Sequence, residues 1–323
     1  MSNDAKNPEE QVEVIISEIK QRMSDRNFSY KEQKLLLERI ENIGSWHIIE
    51  PLATLLKNEN SPESIKVKIL EVFGRYQDPR VIKYLSSYIK SENENIRNAA
   101  VKGLSLHENA KCLEPLLSSI DDENKWIRIF SIRGLQKNFN SRVIEPIIER
   151  FGDEDKDVRE EAIMAVEKMD SELTAEELIR ALDSENRFIK LGSAAILGDL
   201  KVKEAVKPLI YLLDCDDRRL ALIASRSLSK ISDLNSIPQL IVQAYKSDKE
   251  DSIFASSVVD MGEKAINPLL KLYFIAKEED LQDLIFKILK KLGDAVLEEV
   301  LELSGQIEDE TKKEKLDDLY NRL

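Results

Sequence analysis

Few side chains in this sequence could do chemistry on a substrate, and they are scattered. The two histidines are His47 and His107, and the two cysteines are Cys112 and Cys215. Nucleophilic or metal-assisted catalysis needs such groups at hydrogen-bond or ligand spacing, and no Cys–His or His–His pair has that spacing here. We therefore predict that both histidines are structural or surface residues, and that the chain has no catalytic residues, no bound metal and no cofactor.

A run of carboxylates is the other candidate for chemistry. Asp153, Glu154, Asp155 and Asp157 could be imagined as a cation site. The run lacks the glycine turn and the closing glutamate of a calcium-binding loop. Acidic side chains at a helix N-terminus are also favoured by the helix dipole and as caps. We interpret the run as structural.

The composition limits the partners of the chain. Its formal net charge is −13, whereas nucleic acids and anionic membranes attract proteins with a surplus of positive charge. We therefore predict no nucleic-acid partner. No apolar run approaches the roughly 18 residues of a membrane span, and the acidic N-terminus has no signal-peptide pattern, so we predict no membrane insertion. Two cysteines fit a reducing compartment, and we predict a cytoplasmic protein.

The segments that carry these residues repeat every 31 positions. Residues 111–138 and 141–169 share landmarks at that separation, which are Pro115 with Pro146, Asp122 with Asp153, Arg128 with Arg159 and Leu135 with Val166. Such a period defines a repeat protein. A unit of this size is one helical hairpin, which cannot cover its own apolar face. Neighbouring hairpins must therefore stack and bury it.

Each predicted hairpin has two recognisable helices. The first opens near a proline, as at Pro51 and Pro115, because the N–H that proline lacks has no partner in a first helical turn. The second contains a column of mostly small residues at steps of 31, which is Ile69, Ala100, Ser131, Ala162, Ser193, Ala224 and Ala255. An apolar column follows four positions later, which is Phe73, Leu104, Leu135, Val166, Leu197, Leu228 and Val259. We predict that both columns form the seam of one continuous core.

Two repeats also have an aspartate and an arginine six positions apart, Asp122 with Arg128 and Asp153 with Arg159. Together with the two-helix unit and the early proline, this pattern resembles HEAT repeats, especially the short bacterial and archaeal HEAT-like type first noted in phycobilisome lyases. The resemblance covers roughly residues 46–293. It implies that the Asp and Arg side chains form a ladder of hydrogen bonds and ion pairs between neighbouring repeats.

The predicted architecture is an all-α, right-handed solenoid of about eight HEAT-like hairpins with a helical cap at each end, built as one continuous domain. We expect a disordered lead-in over residues 1–8, an N-terminal cap over residues 9–44, the repeats over residues 45–293 and a C-terminal cap over residues 294–323. The caps differ from the repeats because one side of each faces water.

The second helices are expected to line a concave surface, where we predict the binding site. The candidate residues share outward positions on these helices and are Lys102, Trp126, Arg133, Lys137, Arg226 and Lys230. A mildly basic surface with an exposed tryptophan suits another protein, presented as an acidic peptide or helix. A solvated helix face without a partner is the alternative interpretation.

These observations favour a non-enzymatic interaction scaffold or adaptor. The resemblance also leaves open a bilin lyase-like attachment factor for linear tetrapyrroles, although no pigment pocket stands out in the sequence. A DNA glycosylase built on HEAT-like repeats is a weaker alternative. It would need a strongly basic concave face, and the net charge of −13 argues against one.

Overall fold

The computed structural model describes residues 7–23, 28–44, 46–169, 171–247, 252–306 and 310–323. Within these ranges the chain forms helices and turns without a β-strand, so the all-α prediction is confirmed. None of the helices in the described part is both long and apolar enough to cross a bilayer. Most of the predicted lead-in, residues 1–6, lies outside the described residues, and the first helix begins at Pro8. The chain divides into two compact units, the first ending at Met169.

The first unit consists of helical hairpins in sequence order. Its helices are α1 Pro8–Arg22, α2 Tyr30–Asn42, α3 Ile49–Lys57, α4 Glu63–Arg75, α5 Pro79–Ser86, α6 Glu94–Ser105, α7 Leu113–Leu117, α8 Lys125–Lys137, α9 Ile144–Glu149 and α10 Lys156–Glu167. The second helices of successive hairpins, α2, α4, α6, α8 and α10, pack side by side. Each odd-numbered helix packs on the even-numbered helix that follows it. This stacking of hairpins is a solenoid.

The second unit has the same construction. Its helices are α11 Ser171–Ala181, α12 Arg187–Asp199, α13 Val206–Leu212, α14 Arg218–Ile231, α15 Ile237–Lys246, α16 Ile253–Val259, α17 Ile266–Ile275, α18 Glu279–Lys291, α19 Ala295–Gln306 and α20 Glu310–Arg322. The even-numbered helices from α12 to α18 again pack in succession. The predicted single continuous domain and its right-handed sense stay predictions.

The first helices begin earlier than their prolines indicate. In the repeat around Pro115, a 3₁₀ turn over Ala110–Cys112 precedes α7, and the proline is the third residue of that helix. The side chain of Asn109 caps the turn by accepting a hydrogen bond from the N–H of Lys111 at 3.0 Å. The proline therefore lies in the first turn of the α-helix, and the start signal is the capping residue.

The second helices share a repeated N-cap. An asparagine or aspartate side chain accepts hydrogen bonds from the first free N–H groups of α6, α8, α10, α12 and α14. These capping residues, 31 positions apart, are Asn93, Asn124, Asp155, Asn186 and Asp217. Because a cap fixes the first turn, each second helix starts at the same point of its repeat. Side chains at equivalent positions consequently lie on equivalent faces.

The seam contains the predicted small residues and also glycines that allow closer approach. Ala100, Ser131 and Ala162 are fully buried. A Cβ atom added to Gly74 of α4 would lie 2.7 Å from the Cα of Gly103 in α6. Contacts between carbon atoms are optimal at about 3.5–4.0 Å, so a larger residue at Gly74 would push the two helices apart. Close helix packing therefore fixes the spacing of the second helices.

Candidate partner-binding face

Three arginines one repeat apart each donate to the carbonyl oxygen six residues earlier, and two of them also contact the aspartate of the next repeat. Nη1 of Arg128 donates to the carbonyl oxygen of Asp122 at 2.8 Å, and its Nη2 donates to the carboxylate of Asp153 at 2.8 Å. In the preceding repeat Nε of Arg97 donates to the carboxylate of Asp122 at 3.0 Å, and in the following repeat Arg159 donates to the carbonyl oxygen of Asp153 at 2.6 Å. The side chains of Arg128 and Asp153 are only 7% and 4% exposed. This Asp–Arg ladder joins repeats from within and offers little surface to a partner.

The carboxylate run is used within the fold. Asp155 caps α10 by accepting a hydrogen bond from the N–H of Asp157 at 2.8 Å. Lys125 forms ion pairs with Asp155 at 3.1 Å and with Asp157 at 2.8 Å. Burial alone would raise the pKa of Asp155, but the hydrogen bonds from Lys125 and from the Asp157 N–H outweigh it and lower that pKa. Within the described ranges, no group of three or more His, Cys, Asp or Glu residues could hold a metal ion.

The histidines and the buried cysteine occupy structural positions. The ring of His107 is buried, and its Nε2 lies 3.2 Å from the carbonyl oxygen of Phe73. A carbonyl only accepts, so Nε2 carries the proton. Burial lowers the pKa of His107 and raises the pKa of the Cys112 thiol to about 11, which leaves Cys112 a poor nucleophile at neutral pH. The ring of His47 stacks on Trp46 with centroids 3.7 Å apart.

An open cleft of about 540 Å³ lies on the second-helix face of the first unit. It crosses three consecutive second helices, α2, α4 and α6. Its lining residues are Tyr30, Glu63, Ser64, Val67, Lys68, Glu71, Asn95, Asn98, Ala99 and Lys102. One of the predicted partner-binding residues, Lys102, therefore borders a depression that could hold part of another chain.

A capping box holds Tyr30 at one end of the cleft. Ser29 accepts a hydrogen bond from the N–H of Glu32, and the Glu32 carboxylate accepts one from the N–H of Ser29 at 2.9 Å. Hydrogen bonds from Arg22, and then from Ser29, lower the pKa of Glu32 to about 2, so its carboxylate stays charged at neutral pH. Tyr30 is the first residue of α2 and its side chain is 64% exposed. The cap therefore presents an aromatic side chain to solvent at a fixed point.

The polar side chains on the floor of the cleft are unequally satisfied. Lys68 forms an ion pair with Glu71 at 3.0 Å, and the amide of Asn95 donates to Glu63 at 2.8 Å. Lys102 has no carboxylate partner in the described part of the chain, and its Nζ lies 5.7 Å from the centroid of the Phe130 ring. A cation beside an aromatic ring remains available to a carboxylate from outside.

Trp126 lies on α8, the second helix that follows the cleft. It follows Asn95 by 31 residues and so has on α8 the position that Asn95 has on α6. Its side chain is 49% exposed, and Nζ of Lys125 lies 5.5 Å from the ring centroid. Phe130, one turn later on α8, is half-buried beneath Lys102. We call the surface from Tyr30 through the cleft to Trp126 and Phe130 the second-helix groove.

The charge around the second-helix groove is mixed. Arg133 donates to the carboxylate of Glu161 at 2.6 Å, and Lys125 is paired as described above. Glu161 follows Arg133 by 28 residues, a contact that depends on how adjacent repeats are staggered. Lys137 is exposed at the end of α8. Inter-repeat ion pairs therefore offset part of the predicted positive charge.

The two remaining candidates lie in the second unit. Arg226 and Lys230 are exposed on α14, and Lys230 forms an ion pair with Asp199 of α12. The structure thus brings Lys102 and Trp126 to the second-helix groove, and places Arg133 and Lys137 farther along the second helices of the same unit. The sequence alone missed Tyr30, Asn98 and Phe130. Phe130 has on α8 the position that the cleft residue Ala99 has on α6, so the 31-residue period identifies it once Ala99 is known to line the cleft.

Comparison with known proteins identifies the repeats. The family model described as HEAT repeats matches residues 113–192, the part in which the Asp–Arg ladder is regular. Residues 113–192 are therefore HEAT repeats. No curated protein matches the sequence of this chain.

Solved structures share the fold of this protein at low identity. An importin-β structure is 10% identical with a TM-score of 0.55, covering 98% of this chain and 55% of that one. Yeast importin-β is 10% identical with a TM-score of 0.50, covering 96% and 51%. The chain thus spans about half the length of each importin. The CpcE–CpcF phycocyanin lyase complex from Nostoc is 12% identical, covering 90% and 97%, and its TM-score of 0.36 is too low to support an inference. The two importin-β likenesses show the solenoid fold.

Proposed function

We propose that this protein is a non-enzymatic interaction scaffold or adaptor that binds a partner protein in the second-helix groove of its first unit. The observation that carries the proposal is the combination found there: an open cleft with an exposed tyrosine at one end, an exposed tryptophan on the next second helix, and a lysine without a carboxylate partner in the described part of the chain. Tyrosine and tryptophan are enriched among the residues that dominate the binding energy of protein interfaces, and a lysine can complement a carboxylate of the partner.

The division between buried and exposed residues supports the proposal. The groups that hold the repeats together, such as Arg128 and Ala100, are buried. The groove residues lie on the same helices and are exposed. Lys102 follows Ala100 by two positions on α6, and Trp126 precedes Arg128 by two positions on α8. A partner could therefore bind without disturbing the packing of the second helices.

Site-specific photocrosslinking tests the proposal. The full chain would be expressed in the native cell with benzoylphenylalanine at Tyr30, which retains an aromatic ring. A matched control places the same residue at Tyr211 on α13, whose side chain is 81% exposed. We expect a crosslinked partner at position 30 that is absent at position 211, and we expect Trp126→Ala in the position-30 protein to reduce its yield at least fivefold. Equal crosslinks at both positions, or yields insensitive to Trp126→Ala, would overturn the proposal.

The same preparation addresses an attachment-factor function. Mixing the purified chain with a linear tetrapyrrole should leave the visible absorbance spectrum of the pigment unchanged if the chain is only a protein-binding scaffold. A shift that is abolished by Trp126→Ala would instead favour pigment handling by the groove.

A further inference from the structure

We propose that the occupant of the second-helix groove is an extended peptide segment of about eight residues with an acidic residue near its centre and an apolar or aromatic residue near each end. The inference rests on the proposed function and specifies the partner. Its three elements are the length of the groove, the chemistry of its floor, and the position of Lys102 on a helix between those of Tyr30 and Trp126.

Length follows from the spacing of the second helices. Tyr30 begins α2 and Trp126 lies on α8, so three steps from one second helix to the next separate them. At 8–10 Å between packed helix axes, the groove spans roughly 27 Å. An extended chain advances about 3.3 Å per residue, so roughly eight residues cover the span.

The chemistry of the cleft favours an extended chain over a helix. A bound amphipathic helix needs a continuous apolar surface, whereas Val67 and Ala99 are the apolar residues that line the cleft. The cleft is therefore too polar for a helix.

The polar floor suits a peptide backbone. An exposed strand presents N–H and C=O groups along both edges, and a side-chain amide can donate to one and accept from the other. Asn98 is half-buried in the cleft and has no hydrogen-bond partner in the described part of the chain. Its amide therefore fits the main chain of a segment that crosses α6.

Charge selects the central residue of the ligand. Lys68 is neutralised by Glu71. Glu63 accepts a hydrogen bond from the neutral amide of Asn95, which does not offset its charge, but Glu63 begins α4 whereas Lys102 lies in the last turn of α6. Lys102 is the cation of the cleft that lacks a carboxylate partner in the described ranges, and its helix lies between those of Tyr30 and Trp126. A carboxylate of the ligand would complement Lys102, while apolar side chains of the ligand would contact Tyr30 and Trp126.

The test begins with phage display of random twelve-residue peptides on the full chain, followed by synthesis of the enriched peptides. Binding is measured by the fluorescence anisotropy of dye-labelled peptides, a signal that does not depend on the tryptophans of the protein and so applies equally to Trp126→Ala. We expect a central Asp or Glu in the enriched peptides, at least tenfold weaker binding to Lys102→Glu, and three- to tenfold weaker binding to Asn98→Ala. The exposed Lys111→Glu, with the same charge change away from the groove, should alter affinity less than twofold.

The outcomes separate the inference from the function on which it rests. Peptides that weaken with Trp126→Ala but not with Lys102→Glu, or that become helical by circular dichroism on binding, would leave the groove as the binding face and overturn the extended acidic ligand. Equal effects of Lys102→Glu and Lys111→Glu would indicate non-specific charge attraction and also overturn it. Peptides indifferent to every groove variant, or no enriched peptide at all, would remove the proposed function as well.

Discussion

The substitution Asp153→Asn should show how strongly burial increases the contribution of one ion pair of the ladder to the free energy of unfolding. Asparagine keeps the shape of the side chain and an oxygen for the N–H of Asp155, which donates to Asp153 at 2.9 Å. It removes the carboxylate that Arg128 contacts at 2.8 Å, and the side chain of Arg128 is only 7% exposed. The guanidinium would then keep two carbonyl acceptors and the exposed Glu154 at 3.7 Å.

The expected magnitude follows from that geometry. Breaking a buried ion pair by removing one partner costs about 3–5 kcal/mol, and the remaining Glu154 places this case near the lower end, at about 3 kcal/mol. The chain provides a matched control in Arg142 and Glu114, which also join neighbouring repeats, at 2.7 Å, but are 61% and 68% exposed. Exposed pairs contribute about 0–1 kcal/mol, so Glu114→Gln should cost less than 1 kcal/mol.

Urea-induced unfolding at neutral pH, followed by circular dichroism, measures both free-energy changes. A third variant, Arg128→Met combined with Asp153→Asn, should recover part of the loss because it removes the uncompensated buried charge. If Asp153→Asn costs no more than Glu114→Gln, burial does not determine the strength of the ladder and the reasoning is refuted. If Arg128→Met instead lowers the free energy of unfolding of Asp153→Asn by as much again as a buried ion pair contributes, the loss comes from disrupted local packing and not from an unpaired buried charge.

Three further predictions concern packing and pH. Gly74→Ala should destabilise the protein by about 0–2 kcal/mol, which is the overpacking cost of about 1–3 kcal/mol less the helix-propensity gain of about 1 kcal/mol. Gly305→Ala, with no atom within 4 Å of the added Cβ, should be neutral or stabilising, and the urea midpoints of the two variants compare these effects. Ala162→Leu should cost about 1–3 kcal/mol by overpacking a fully buried site, and an unchanged melting temperature would place Ala162 outside the seam. Burial lowers the pKa of His107 below 6.5, so the histidine takes up a proton more readily in the unfolded chain than in the folded one. The free energy of unfolding should therefore decrease as the pH falls below about 6.5. Parallel urea titrations of His107→Gln should show a smaller decrease between pH 7 and pH 5 than those of the unmodified protein.

Sequence reasoning predicted the parts of the fold that depend on positions within one repeat. The 31-residue period fixed the small column, and Ala100, Ser131 and Ala162 are buried as a set. The same period contains the N-caps, although we did not use it for them: Asn93 and Asn124 stand 31 apart before two second helices. Such features are visible in a sequence because a repeated local geometry needs a repeated residue type.

Features that depend on how one repeat lies against the next were not predicted. The partner of Arg133 is Glu161, 28 residues later, and that offset follows from the stagger of α8 and α10. The close approach of Gly74 to Gly103 has an offset of 29 for the same reason. Tyr30 was assigned to the cap, yet its position at the start of α2 places it in the cleft. The 31-residue period identifies residues at the same position of successive repeats, whereas the contacts between repeats join residues at different positions.

Each second helix carries its packing residues and its groove residues on different faces, which explains why a similar fold does not identify the partner. On α6 the buried Ala100 sets the packing distance, and Lys102, two positions later, faces the cleft. On α8 the buried Arg128 joins the ladder, and Trp126, two positions earlier, is exposed. Because a rotation of about 200° along the helix separates such neighbours, groove residues can change without altering the seam. A solved structure such as importin-β at 10% identity can therefore share the stacking without sharing the groove residues, and under the proposed function the partner would be selected by Tyr30 and the other groove side chains.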